Sequence, residues 1–95
     1  MAYVVVMPKL GLTMKSGLVA RWLVAIGDRV EREAPLLEVE TDKITSEVAS
    51  PAGGTVLRAV DPDVEVPVGE PIAIVGEPAE DVSALALFEP GRATS

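Results

Sequence analysis

The chain nearly repeats itself, and that repeat limits its possible folds more than any other feature. Gly17-Leu-Val-Ala-Arg-Trp-Leu aligns with Gly54-Thr-Val-Leu-Arg-Ala-Val, which sets Val19 on Val56, Arg21 on Arg58 and Leu23 on Val60. With one residue deleted, Val30 falls on Val66 and Pro35-Leu36 on Pro71-Ile72. Each half is too short to cover its own apolar face. The two are therefore expected to pack as similar sheets about a pseudo-two-fold axis. A chain of 95 residues has room for one such domain and little for a second.

The local pattern is that of strands. Tyr3-Val-Val-Val-Met7 reads as a strand stopped by Pro8, and a loop runs from Lys9 to Ser16. Residues 17–24 form the next strand, turned by Gly27-Asp28. In Leu36-Leu-Glu-Val-Glu-Thr41, Leu37, Val39 and Thr41 share one face while Glu38 and Glu40 share the other, the period of a half-buried strand. Extended structure resumes at Ile44–Ala49, turns at Pro51 and Gly53-Gly54, and continues over Thr55–Val60 and Pro71–Val75. No segment carries a helical period, so the fold class is all-β. From residue 77 the chain turns rich in Pro, Ala and charge. The expected division is a domain over 1–76 and a linker or docked tail over 77–95, in which Val82-Ser-Ala-Leu-Ala-Leu-Phe88 is the apolar part.

Composition narrows the function. The net charge of −7 argues against nucleic acid or an anionic membrane as partner, and suits docking onto a basic protein surface as well as simple solubility. There is no cysteine and no histidine, which removes disulfides, thiol nucleophiles, imidazole acid–base chemistry and the usual zinc sites. No signal segment and no apolar run near the ~18 residues of a membrane helix is present, so a cytoplasmic location is expected. The carboxylates Glu31, Glu38, Glu40 and Glu47 read as solvent-facing sheet and turn residues, and no catalytic residue or metal site is expected.

At the midpoint stands Glu38-Val-Glu-Thr-Asp-Lys-Ile-Thr-Ser-Glu-Val48. This segment resembles the lipoylation motif of the lipoyl domains of 2-oxo acid dehydrogenase complexes and their acetoin-cleaving relatives. Met7-Pro-Lys-Leu-Gly-Leu-Thr-Met14 is similar to that family's opening, and Gly27-Asp28 and Gly53-Gly54 flank the lysine at matching distances. The resemblance runs from about residue 3 to residue 76. It implies a flattened barrel or sandwich of two four-stranded antiparallel sheets, with Lys43 at a hairpin tip bearing lipoic acid in amide linkage. A primary amine suits that linkage, because a guanidinium stays protonated and does not acylate under ordinary conditions.

The resemblance further implies that Glu40, Thr41, Asp42 and Ile44 are read by the modifying enzyme, a lipoate ligase or lipoyl transferase. The loop Lys9, Leu10, Gly11, Leu12, Thr13 and Met14 would contribute to partner choice, while Gly27, Asp28, Gly53 and Gly54 make structural turns. The implied partners are a thiamine-diphosphate decarboxylase component, an acyltransferase catalytic domain and dihydrolipoamide dehydrogenase. The domain itself would carry and not catalyse. A biotinyl carrier domain is the nearest alternative, but its motif sets methionines on both sides of the lysine, where this chain has Asp42 and Ile44. The lipoylated carrier of the glycine cleavage system is longer and has helical parts. An unmodified lipoyl-like assembly module is a further alternative, although it would not need the Asp-Lys turn. Asp42-Lys43 also lacks the glycine that two-residue hairpin loops favour, which suggests a type I turn in a slightly longer loop.

Overall fold

The computed structural model describes residues 2–42, 44–78 and 87. Among the described residues eight strands follow one another: β1 (Tyr3–Val6), β2 (Ser16–Trp22), β3 (Arg29–Val30), β4 (Pro35–Glu40), β5 (Thr45–Ala49), β6 (Gly54–Ala59), β7 (Glu65–Pro67) and β8 (Pro71–Gly76). They form two four-stranded sheets, β1-β8-β6-β3 and β5-β4-β2-β7, and all pairings are antiparallel. The all-β class and the paired sheets are as expected from the sequence. The strands β3 and β7, two and three residues long, are too short to leave a pattern of their own.

The repeat appears in the structure position by position. Mapping β2 onto β6, β3 onto β7, β4 onto β8 and β5 onto β1 turns one sheet order into the other. Val19 pairs with Val39 as Val56 pairs with Val75, and Gly17 pairs with Val66 as Gly54 pairs with Val30. Even the irregularities match, with register shifts between Val19 and Arg21 and between Val56 and Arg58. The first and last strands meet where Tyr3 pairs with Val75, on the sheet that does not hold the β4–β5 hairpin.

Aliphatic side chains from both sheets fill the space between them. Met7, Val19, Leu36, Leu37, Val39, Val66, Ile72 and Val75 are fully buried. Each such burial is worth about 1.5–3 kcal/mol, which allows a core almost without aromatics. Leu37 and Val39 point inward as their alternation predicts; Leu36 is buried as well, beside the register shift between Pro35 and Leu37. Trp22 is half-buried, and its indole N–H donates to the carbonyl of Val60 at 2.7 Å, tying β2 to the end of β6 in the facing sheet.

Two pairs of equivalent turns need a left-handed residue, and each pair fills that need once with glycine and once without. Gly27 has φ 98° and its counterpart Asp63 has φ 65°, while Gly69 has φ 91° and its counterpart Glu33 has φ 71°. A non-glycine residue there costs about 1–2 kcal/mol, partly offset by the larger unfolded-state entropy of glycine. Glu33→Gly is expected to stabilise the chain by about 0.5–1 kcal/mol in urea unfolding, and Asp63→Gly by less, since aspartate tolerates this region better. The Glu33 amide bond to the Ser50 carbonyl (2.8 Å) survives that change. A lower midpoint for Glu33→Gly would show that its side chain contributes more than its backbone costs.

Candidate functional site

The β4–β5 hairpin positions the central motif. Glu40 pairs with Thr45, Val39 with Ser46 and Glu38 with Glu47, so four residues, 41–44, connect the strands. Thr41 closes this connection through both its backbone and its hydroxyl, which also donates to the Ile44 carbonyl at 3.2 Å. Its N–H donates to the Ile44 carbonyl at 2.8 Å, and its hydroxyl oxygen accepts from the Ile44 N–H at 3.2 Å. A threonine hydroxyl thus satisfies a backbone donor that the tight turn leaves without a ladder partner. Asp42 and Ile44, on either side of Lys43, are exposed. Lys43 lies outside the described residues, and so does the turn type expected for Asp42-Lys43.

The opening loop stands beside this hairpin. Leu10 and Met14 pack partly against the core, and the Leu10 N–H approaches the Met14 sulfur at 3.1 Å. The Met14 N–H donates to the Gly11 carbonyl at 3.3 Å, which lifts Gly11, Leu12 and Thr13 into solvent. Leu12, at the apex, is 95% exposed. Loop, hairpin and β7 enclose an open groove of about 870 Å³. Leu10, Leu12, Met14, Leu18 and Ile44 give it apolar surface, and Glu40, Asp42 and Glu65 give it negative charge. Glu65 is held on the rim by the Ser16 hydroxyl, which donates to it at 2.8 Å. The structure therefore brings Glu40, Thr41, Asp42 and Ile44 together with residues 10–14 around one groove, while Lys9 is exposed outside its lining.

The predicted turn residues fall in two places. Gly27-Asp28 makes the β2–β3 turn, where the Asp28 carboxylate accepts from the Ala25 N–H at 2.9 Å. Gly53 lies in the bend before β6, but Gly54 is the first residue of β6 and buried. A Cβ on Gly54 would lie 3.1 Å from the Gly76 carbonyl oxygen, so close strand approach and not the turn calls for glycine there.

Sequence reasoning passed over Gly17. It is buried in β2, and a Cβ there would lie 2.7 Å from Val39 Cγ1, 2.9 Å from Met14 Cε and 3.0 Å from Met7 Sδ. Its missing side chain lets the opening loop, β2 and β4 converge just below the hairpin. A glycine inside an otherwise Val- and Leu-rich strand is the signal that could have revealed it.

Comparison with known proteins agrees with this geometry. Residues 3–75 match the biotin/lipoyl family, described as biotin-requiring enzyme. The chain is a member of that family. An acetyltransferase component of the pyruvate dehydrogenase complex from Corynebacterium glutamicum, named as acting on dihydrolipoyllysine residues, is 44% identical over 81 residues, 84% of this chain and 12% of that protein. The corresponding component of the acetoin cleaving system from Pseudomonas putida is 46% identical over 72 residues, 75% of this chain and 20% of its own. A succinyltransferase component of the 2-oxoglutarate dehydrogenase complex from Rickettsia typhi is 36% identical over 81 residues, 84% of this chain and 20% of its own. The chain thus spans a fifth or less of the length of these relatives. Within the biotin/lipoyl family it stands with the lipoyl domains of such acyltransferase components.

Proposed function

We propose that this domain is a lipoyl carrier, with lipoic acid amide-linked to Lys43. The observation that supports this most directly is the β4–β5 hairpin, whose four-residue connection is closed by Thr41 and holds Asp42 and Ile44 in solvent around that lysine. The surroundings fit a long, partly apolar arm: the groove next to the connection offers Leu12 and Ile44 on its rim. When bound, lipoate supplies a dithiolane that takes up an acyl group at one active site and yields it to coenzyme A at another. The chain's own residues do the rest. The two strands fix where the arm starts, Thr41 keeps the tip from opening, and Glu40, Asp42 and Glu65 present negative charge to basic partner surfaces.

In this reading a lipoate ligase or lipoyl transferase recognises Glu40, Thr41, Asp42 and Ile44. A thiamine-diphosphate decarboxylase component, an acyltransferase catalytic domain and dihydrolipoamide dehydrogenase then dock in turn at the groove. A cytoplasmic setting belongs to the same proposal, since a chain without cysteine draws nothing from an oxidising compartment. Intact mass after incubation with lipoate ligase, ATP and lipoate tests it, with biotin ligase and biotin in parallel. A lipoyl adduct is expected. A biotin adduct, or none while the ligase modifies a control domain, would overturn the proposal.

The loop carries a separate prediction. Leu12 is too exposed to support the core, so Leu12→Ser is expected to change stability by no more than about 0.5 kcal/mol. As an apolar anchor at a small interface it is expected to matter about tenfold in kcat/KM for acyl uptake from the decarboxylase. An unchanged kcat/KM would remove the loop from that interface.

A further inference from the structure

Met14 holds the opening loop through two bonds. Its sulfur accepts the Leu10 N–H at 3.1 Å, and its own N–H donates to the Gly11 carbonyl at 3.3 Å, beneath the apex where Leu12 stands in solvent. Its methyl group is seated over Gly17, where Val39 Cγ1 and Met7 Sδ also converge. The two thioethers that meet there differ in access. Met7 is fully buried, whereas Met14 is half-buried and lines the groove. The chain has no cysteine, which leaves its methionines as the most readily oxidised side chains. Met1 lies outside the described residues. A small oxidant entering the groove therefore meets Met14 and not Met7.

We propose that Met14 is a redox modification site, at which a peroxide converts the thioether to its sulfoxide and releases the loop. A thioether sulfur has two lone pairs, and Leu10 engages one. The second attacks a peroxide oxygen: an S–O bond forms, the O–O bond breaks, and the departing oxygen leaves as water with both peroxide protons. Sulfur loses two electrons and the peroxide gains them. The product does not fit the loop as it stands. An oxygen aimed at Leu10 has no room within the 3.1 Å between nitrogen and sulfur. One aimed at Gly17 would be buried beside Val39 and Met7 without a donor. The sulfoxide must swing toward the groove, so Leu10 loses its acceptor and the methyl leaves its seat on Gly17. Leu12 is then no longer held in place, and the groove gains a polar group among Leu10, Leu18 and Ile44. A methionine sulfoxide reductase reverses the step, with a dithiol oxidised to a disulfide and the oxygen released as water. That this weakens docking of a decarboxylase component rests on the carrier reading; the modification does not.

Peroxide treatment of the bare chain, followed by tryptic mapping, tests the proposal. Cleavage after Lys9 and Lys15 isolates Met14 in residues 10–15, while Met1 and Met7 share residues 1–9 and are separated by fragmentation. Met14 is expected to gain oxygen more than about tenfold faster than Met7, which reacts only when the core opens. In amide NMR the Leu10 and Leu12 signals are expected to shift, with faster hydrogen exchange at Leu10, and to return after reductase treatment. Met14→Leu keeps an apolar contact over Gly17 and has no sulfur at this position, so its loop signals are expected to ignore peroxide. Lipoylated after oxidation, the native chain is expected to lose kcat/KM for acyl uptake about as far as Leu12→Ser does. Equal rates at Met14 and Met7, or an unmoved Leu10 signal with Met14 fully oxidised, would overturn the proposal. Loop signals that respond to peroxide in Met14→Leu would overturn it too, by placing the effect elsewhere. If the ligase modifies neither treated nor untreated chain, the carrier reading fails, while the peptide map and the amide signals still decide this one.

Discussion

Lys43→Arg is expected to leave the domain folded and to abolish modification, so that the intact mass stays that of the bare chain after any length of incubation with ligase, ATP and lipoate. The argument is chemical before it is structural. Amide formation needs a nitrogen lone pair to attack the activated lipoyl carbon; the amine gives up a proton, and the activating group departs with the electrons of the broken bond. A guanidinium stays protonated at working pH, and its lone pairs are delocalised, so arginine preserves charge and length while removing the nucleophile. The fold has little reason to respond. The hairpin is closed through Thr41 and Ile44, and Asp42 and Ile44 are exposed. Stability is expected to move by no more than about 0.5 kcal/mol. An adduct on the arginine variant, mapped to Lys9 or Lys15, would show that the ligase accepts a lysine of the neighbouring loop and that the hairpin does not define the site.

Thr41→Val offers a finer version of the same test. The amine is retained, but the hydroxyl that satisfies the Ile44 N–H is lost. A hydrogen bond at an exposed tip is worth about 1 kcal/mol or less, so adducts still form, at a rate lowered a few-fold. Together the two variants separate the group that reacts from the residue that presents it.

Much of this could be read from the sequence because it is encoded twice. The alignment of Val19 with Val56 and Val30 with Val66 anticipates the pairing of Val19 with Val39 and Val56 with Val75, and the burial of both Val30 and Val66 in short strands. Alternation over Leu37, Glu38, Val39 and Glu40 gives the orientation of β4 directly. What stayed hidden depends on contacts far apart in sequence. β3 and β7 exist because the neighbouring β6 and β2 offer them open edges, and two or three residues hold no period. Glu33 and Asp63 adopt left-handed backbone because the equivalent turns demand it, though neither residue advertises the fact. The groove is likewise a product of tertiary placement. Residues 10–18, Glu40, Thr41, Asp42, Ile44 and Glu65 approach one another only after β2 has paired with both β4 and β7.

Gly17 is where fold and site meet most closely, and Gly17→Ala is expected to have the largest effect on stability of any small change near the hairpin. The new methyl would come within 2.7 Å of Val39 Cγ1 and 2.9 Å of Met14 Cε. Met14 and Met7 can swing their flexible ends aside; Val39 is fully buried and β-branched, with its side chain locked in one rotamer by the core. Overpacking of this kind costs about 1–3 kcal/mol, which in a domain of this size lowers Tm by roughly 4–8 °C for each kcal/mol. Gly11→Ala is the control. It lies in the opening loop with nothing within 4 Å of its added methyl, so it is expected to be near neutral. The equivalent position in the other half, Gly54, faces Val75 Cγ1 and the Gly76 carbonyl oxygen, both at 3.1 Å, and backbone atoms cannot rotate away. Gly54→Ala should therefore cost stability as well, but without touching the site. Gly17→Ala alone pushes on Met14, which props the loop carrying Leu12. Measured on lipoylated protein below its melting range, Gly17→Ala is expected to lower kcat/KM for acyl uptake and Gly54→Ala to leave it intact. Equal losses in both would mean that the loop responds to general loosening of the core and that Gly17 has no particular part in holding it against the hairpin.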